Sequence, residues 1–184
     1  AATALSHIGC ANFLRSRDGT KGLGIAEYYN RALELDPDNS YAHIMLAHWL
    51  LWEGYQQNQD VDLDKIKFHF AAALQATQDR EYINNMKFTA LNNASYNSKV
   101  RIEFIKFSEE IRQQNGTLDR SDRSSVFNAI AKVVAPSNIL DQSTLPTINQ
   151  LLEVISPVTL LELSNWLDSD NKYKGTPSKM MLNA

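Results

Sequence analysis

The chain has one cysteine, Cys10, in 184 residues. A single thiol excludes an intramolecular disulfide and any metal site built from several cysteines. Glycine and proline are also scarce, at 7 and 5 residues, and so few chain breakers favour long helices joined by short turns. Charge of one sign is lacking: 18 basic against 21 acidic residues leave a net charge of -3. So mild a balance argues against nucleic acid or an anionic membrane as the main partner. Lys21, Lys65, Lys67, Lys99, Arg101 and Lys106 are scattered and outline no basic face. No apolar run reaches the roughly 18 residues that a membrane span requires. Ile8-Gly9-Cys10 has a faint look of a lipoprotein cleavage box, but no basic or adequately apolar segment precedes it. What is present is 43% hydrophobic and 21% charged residues, the composition of a folded, soluble chain. It opens directly in helical pattern, as a fragment of a longer protein would.

Apolar residues recur at three and four along almost the whole chain, the spacing of helices packed by one face. Segment 3–15 offers Leu5, Ile8 and Phe13 as core, and Arg17-Asp18-Gly19-Thr20 reads as a turn. Segment 22–35 carries Ile25, Tyr28, Tyr29, Ala32 and Leu33 and stops at Asp36-Pro37, because proline disfavours helical geometry in the residue before it. Asn39 or Ser40 can cap a helix to about Trp52, with Ala42, Leu46, Ala47 and Leu50 inward and Gly54 as its stop. A polar loop is expected over 55–60. Asp62 or Asp64 starts the next helix, with Leu63, Ile66, Phe70, Ala73 and Leu74 as its stripe. Asp79 caps a helix over 80–96, and Asn97 or Ser98 caps one over 99–114 that Asn115-Gly116 ends. Beyond Gly116 the pattern gives helices over 122–134 and 146–155, with Ile148, Leu151, Leu152 and Ile155 in the latter. A last helix opens at Ser156-Pro157 and carries Leu160, Leu161, Leu163, Trp166 and Leu167. Pro136 ends the first of these three, 138–143 reads as a loop, and 169–184 reads as a polar tail. No convincing strand or hairpin signal occurs; Val133-Val134 sits inside helical spacing.

The stretch Ala32-Leu33-Glu34-Leu35-Asp36-Pro37-Asp38-Asn39, followed by His43, Leu46-Ala47, Leu50 and Gly54 and then by Leu63, Ile66, Phe70 and Ala73, resembles the tetratricopeptide repeat. The preceding unit is similar at Ile8-Gly9, Tyr29, Ala32 and Pro37. The departures are a loop over 55–61 longer than the family's and the lack of Asp-Pro after Leu74. The likeness covers 5–78 well and 79–116 less well. Phe13-Leu14-Arg15-Ser16-Arg17-Asp18-Gly19-Thr20, with Gly22-Leu23 and Ala26, narrows it toward repeats of bacterial signalling and transcriptional regulators, although no effector domain is present. The resemblance implies an all-α solenoid of about three helix hairpins over 1–116, closed by a C-terminal helical cap over 117–168. An ordinary α-hairpin bundle yields the same periodicity.

In such arrays the first helix of each hairpin lines a concave groove. Carried onto 40–52, the resemblance makes Tyr41, Ile44, His48, Leu51 and Trp52 the partner-binding residues, an apolar and aromatic surface suited to a peptide or helix of another protein. Packing of Leu51 and Trp52 against the next hairpin is the competing reading. No catalytic, cofactor or metal site is expected. His43 and His48 fall on different faces of one helix, and His69 lies on another with no cysteine near. His7 and Cys10 share a face, but no acid accompanies them. Asp60, Asp62 and Asp64 sit like the start of a calcium loop, yet Lys65 and Ala71 stand where glycine and glutamate would be needed. Asn93-Ala94-Ser95 and Asn115-Gly116-Thr117 fit a glycosylation pattern that matters only in a secretory route. The expectation is therefore a non-catalytic docking or sensing domain, cytoplasmic or the periplasmic part of a membrane-anchored regulator. The alternative is an assembly scaffold, self-packed or homodimeric.

Overall fold

The structure is a computed structural model of the chain, and it describes residues 1–17, 24–57, 60–116, 118, 120–134 and 145–169. Among these residues there are nine helices and no strand: α1 (Ala2–Arg17), α2 (Ile25–Leu35), α3 (Ser40–Gln57), α4 (Leu63–Ala76), α5 (Arg80–Asn93), α6 (Ser98–Asn115), α7 (Arg120–Val134), α8 (Leu145–Val154) and α9 (Pro157–Ser169). The protein is all-α, as its periodicity requires. The expected turn over 18–20, Gly22-Leu23, Thr117, Pro136, the loop over 138–143 and the tail from 170 onward lie outside the described residues.

Local chemistry sets most helix starts. The Asn39 side chain accepts from the Ala42 amide at 2.9 Å, and Asp62 accepts from Lys65 at 3.0 Å. Asp79 accepts from Tyr82 at 3.0 Å, and Asn97 accepts from Lys99 at 3.0 Å and Val100 at 3.3 Å. Each bond satisfies an amide that the helix itself leaves unpaired. Ser156 does the same for Thr159 at 3.2 Å, just ahead of Pro157. At the end of α6, Gly116 takes a left-handed conformation, φ 78°. Gly54, in contrast, does not stop α3, which runs on to Gln57. Tyr55 to Gln57 are thus helical, and the expected loop shortens. A lone glycine costs a helix only about 1 kcal/mol, and α3 recovers more than that by packing against its neighbours.

The chain divides into two compact units, Ala1–Ala94 and Ser95–Ala184. The division falls one helix before the expected end of the array at 116, so α6 belongs with the helices that follow it. In the first unit α1 packs on α2, α2 on α3, α3 on α4 and α4 on α5, while α3 also meets α1 and α5. Helix α3 is therefore central. Its residues 42–47 are all buried, since a helix apolar around its circumference needs neighbours on every side. Tyr29, Ile44, Leu46, Leu51, Ile66, Phe70 and Ile83 fill this core. Gly9 lets α1 approach α2: a Cβ built there would stand 2.9 Å from Tyr29 Cε1. Ile8, expected in the core, is instead 46% exposed.

In the second unit α6, α7 and α8 pack on one another. Val100, Phe104, Ile105, Val126, Phe127, Ile130, Leu151 and Leu163 are buried there. The start of α9 is tied to α6 by a buried polar cluster. Arg112 pairs with Glu109 at 3.0 Å and donates to Ser156 at 2.6 Å, and the Thr159 hydroxyl donates to Glu109. Arg101 donates to the carbonyls of Ser95 at 2.8 Å and Tyr96 at 3.0 Å, and burial pushes its pKa down. Leu152 and Leu161, which fit the helical spacing of their segments, are exposed.

Candidate functional site

Residues 41, 48, 52 and 55 fall within one narrow arc of a helix, because their separations of seven, eleven and fourteen approximate whole turns. In α3 they form a strip. Tyr41, His48 and Trp52 are partly buried and Tyr55 is exposed. Trp52 and Tyr55 meet in a tilted contact, ring centres 5.5 Å apart and planes 42° apart. Helix α1 borders the strip on one side. His7 lies 5.0 Å from the Tyr41 ring, and Phe13 lies 5.3 Å from His48 and 6.4 Å from Trp52. Phe13 also meets Trp49 edge-on at 5.2 Å. Burial raises the Tyr41 pKa, followed by a hydrogen bond and charge interaction with Cys10 and by the charge of Tyr82 on α5. Tyr29 is shifted up in the same way, first by burial and then by Cys10 and Tyr41. Both phenols therefore stay neutral, and Tyr29, fully buried, belongs to the core.

The five residues expected to bind a partner do not share this position. Tyr41, His48 and Trp52 lie on the strip, whereas Ile44 and Leu51 are 0% and 1% exposed. At 100° per residue these two lie about 60–80° around the helix from Tyr41, on the Tyr55 side of the strip, and it is packing that covers them. They belong to the core and are withdrawn from the surface. Tyr55 belongs to the strip, although the glycine before it predicts a loop there.

A second constellation joins residues that sequence spacing kept apart. His43 and His69 are both buried, and their Nδ1 atoms are 2.9 Å apart. His43 Nε2 is 2.9 Å from the Pro37 carbonyl oxygen. A carbonyl only accepts, so this nitrogen donates. In the neutral pair, His43 Nδ1 then accepts a hydrogen bond from His69 Nδ1. Burial, helped by His43 and Lys65, lowers the His69 pKa from 6.5 to about 4. Phe68, 63% exposed, meets both rings edge-on. The pair links α3, α4 and the turn after α2. His48 takes no part in it.

Among the described residues no group of three or more His, Cys, Asp or Glu is placed to hold a metal ion. A cleft of ≈ 120 Å³ lined by Gly24, Glu27, Tyr28 and Arg31 opens at the start of α2, below the roughly 300 Å³ of a typical small-molecule site. Glu27 and Arg31 form an ion pair within it. Among the described residues no helix is long and apolar enough to cross a membrane. No family model, curated protein or solved structure matches the chain.

Proposed function

We propose that the chain is a non-catalytic interaction module that holds a peptide or helix of a partner protein along Tyr41, His48, Trp52 and Tyr55. The observation that supports this reading is the partly exposed aromatic strip on a helix whose residues 42–47, 49 and 51 are buried. Tyrosine and tryptophan offer wide contact area with few rotamers to lose, and such residues dominate interface energies. The likeness of 5–78 to a tetratricopeptide repeat supports the same reading, and with it a place in a larger bacterial regulatory protein. A second reading, a self-associating scaffold, draws on the exposed Leu152, Val158 and Leu161 of α8 and α9.

A helical peptide library panned against the chain supplies a ligand for the test. Trp52→Ala should weaken binding of the selected peptide by about thirtyfold, the scale of an interface hot spot. Gln75→Ala, on an exposed position of α4, should leave it within about twofold. Circular dichroism checks that both variants stay folded. Unchanged affinity in folded Trp52→Ala removes the strip as the binding surface. Sedimentation showing a dimer that Leu161→Glu dissociates would favour the scaffold.

A further inference from the structure

Three asparagines precede a glycine or serine: Asn39-Ser40, Asn97-Ser98 and Asn115-Gly116. These pairs are prone to intramolecular attack of the following amide nitrogen on the asparagine side chain. The structure separates them. Asn39 is held at both ends of its amide, accepting from Ala42 at 2.9 Å and donating to Asp36 at 3.1 Å. Asn97 accepts from two amides at once, Lys99 and Val100. Either side chain must break its cap before its Cγ can swing onto the next nitrogen. Asn115 is the last residue of α6 and is exposed. Gly116 has no Cβ to obstruct its nitrogen, and nothing lies within 4 Å of where one would be. Helix ends also open more readily than their middles.

We propose that Asn115 is a site of spontaneous deamidation in the folded protein. The Gly116 nitrogen attacks Asn115 Cγ and loses its proton. The Cγ–Nδ2 bond breaks and ammonia leaves, which closes a five-membered succinimide. Water then opens the ring at either carbonyl, giving aspartate or isoaspartate. Nothing is oxidised or reduced, and the product carries one new negative charge. That charge falls at the negative end of the α6 dipole, where carboxylates are disfavoured. Isoaspartate also inserts an extra carbon into the chain as it leaves α6.

The test is peptide mapping by mass spectrometry of the whole chain, incubated folded at mildly alkaline pH and, in parallel, in guanidinium chloride. In the folded sample the amide-to-acid mass gain should appear first in the peptide holding Asn115. Asn39 and Asn97 should lag their own rates in guanidinium by about fivefold or more, the effect of a cap bond of about 1 kcal/mol at 1.36 kcal/mol per factor of ten. Asn115 should react at similar rates in both samples. Asn115→Gln should abolish the gain in that peptide, since its ring would have six members. The proposal is overturned if folded Asn115 is protected as strongly as Asn39 and Asn97, or if either of them reacts as fast as Asn115 in the folded chain.

Discussion

Replacing His69 by Asn should remove an acid sensitivity built into the N-terminal unit. The His69 ring is 7% exposed and donates through Nδ1 to His43. Its pKa is lowered from 6.5 to about 4 by burial, by His43 and by Lys65. A lowered pKa means that the unfolded chain binds the proton more readily than the folded one. Stability is therefore full above about pH 6.5 and falls as the pH drops toward 4, where the folded ring finally titrates. The interval between 6.5 and about 4 corresponds to at most about 3–4 kcal/mol, at roughly 1.4 kcal/mol per pH unit. Asparagine places an amide nitrogen near the position of Nδ1, so it keeps the donor to His43 without titrating. Urea unfolding, followed through Trp49 and Trp52 in a Trp166→Phe background, reads this unit alone. Carboxylates titrate alike in both proteins and cancel in the difference. The stability of the parent minus that of His69→Asn should fall by up to about 3 kcal/mol between pH 6.5 and 4. A difference that stays flat across that window would refute the buried, neutral pair.

The other predictions concern packing. Gly9→Ala places a Cβ 2.9 Å from Tyr29 Cε1 and 3.2 Å from Tyr28 Cβ. Overpacking of about 1–3 kcal/mol should outweigh the roughly 1 kcal/mol gained in helix propensity. Thermal melts should rank the parent above Gly9→Ala and Gly9→Val lowest; an alanine variant more stable than the parent would contradict the close α1–α2 approach. In the second unit, Glu109→Ala strands the partly buried Arg112 and should cost about 3–5 kcal/mol, read by denaturation through Trp166 fluorescence. Glu109→Gln keeps an acceptor for Thr159 and should cost less. Equal losses would show that the charge matters more than the hydrogen-bonded cluster.

Much of the architecture is legible locally. Asn39, Asp62, Asp79 and Asn97 each cap the helix they precede, because the capping bond spans only two or three residues. Tyr29, Ala32, Leu46, Phe70, Ala73, Phe104 and Leu163 recur at core spacing and are buried. Gly54 misled because a glycine's effect depends on what the helix packs against, and no local pattern carries that. Leu152 and Leu161 fit helical spacing yet stand exposed, for a related reason. An apolar residue marks a face that can be buried, while a neighbour must arrive to bury it.

The strip on α3 divides along the same line. Its four positions share a helix face by arithmetic alone, and the sequence determined that Tyr41, His48 and Trp52 would stand together. Only tertiary packing decided that Ile44 and Leu51 would turn into the core while the aromatics stayed at the surface. It alone decided, too, that His43 and His69, 26 residues apart, would share a hydrogen bond. Helical periodicity specifies angles around one axis. The docking of axes against one another depends on shape and contact among residues distant in sequence, and the chain expresses that information only when folded.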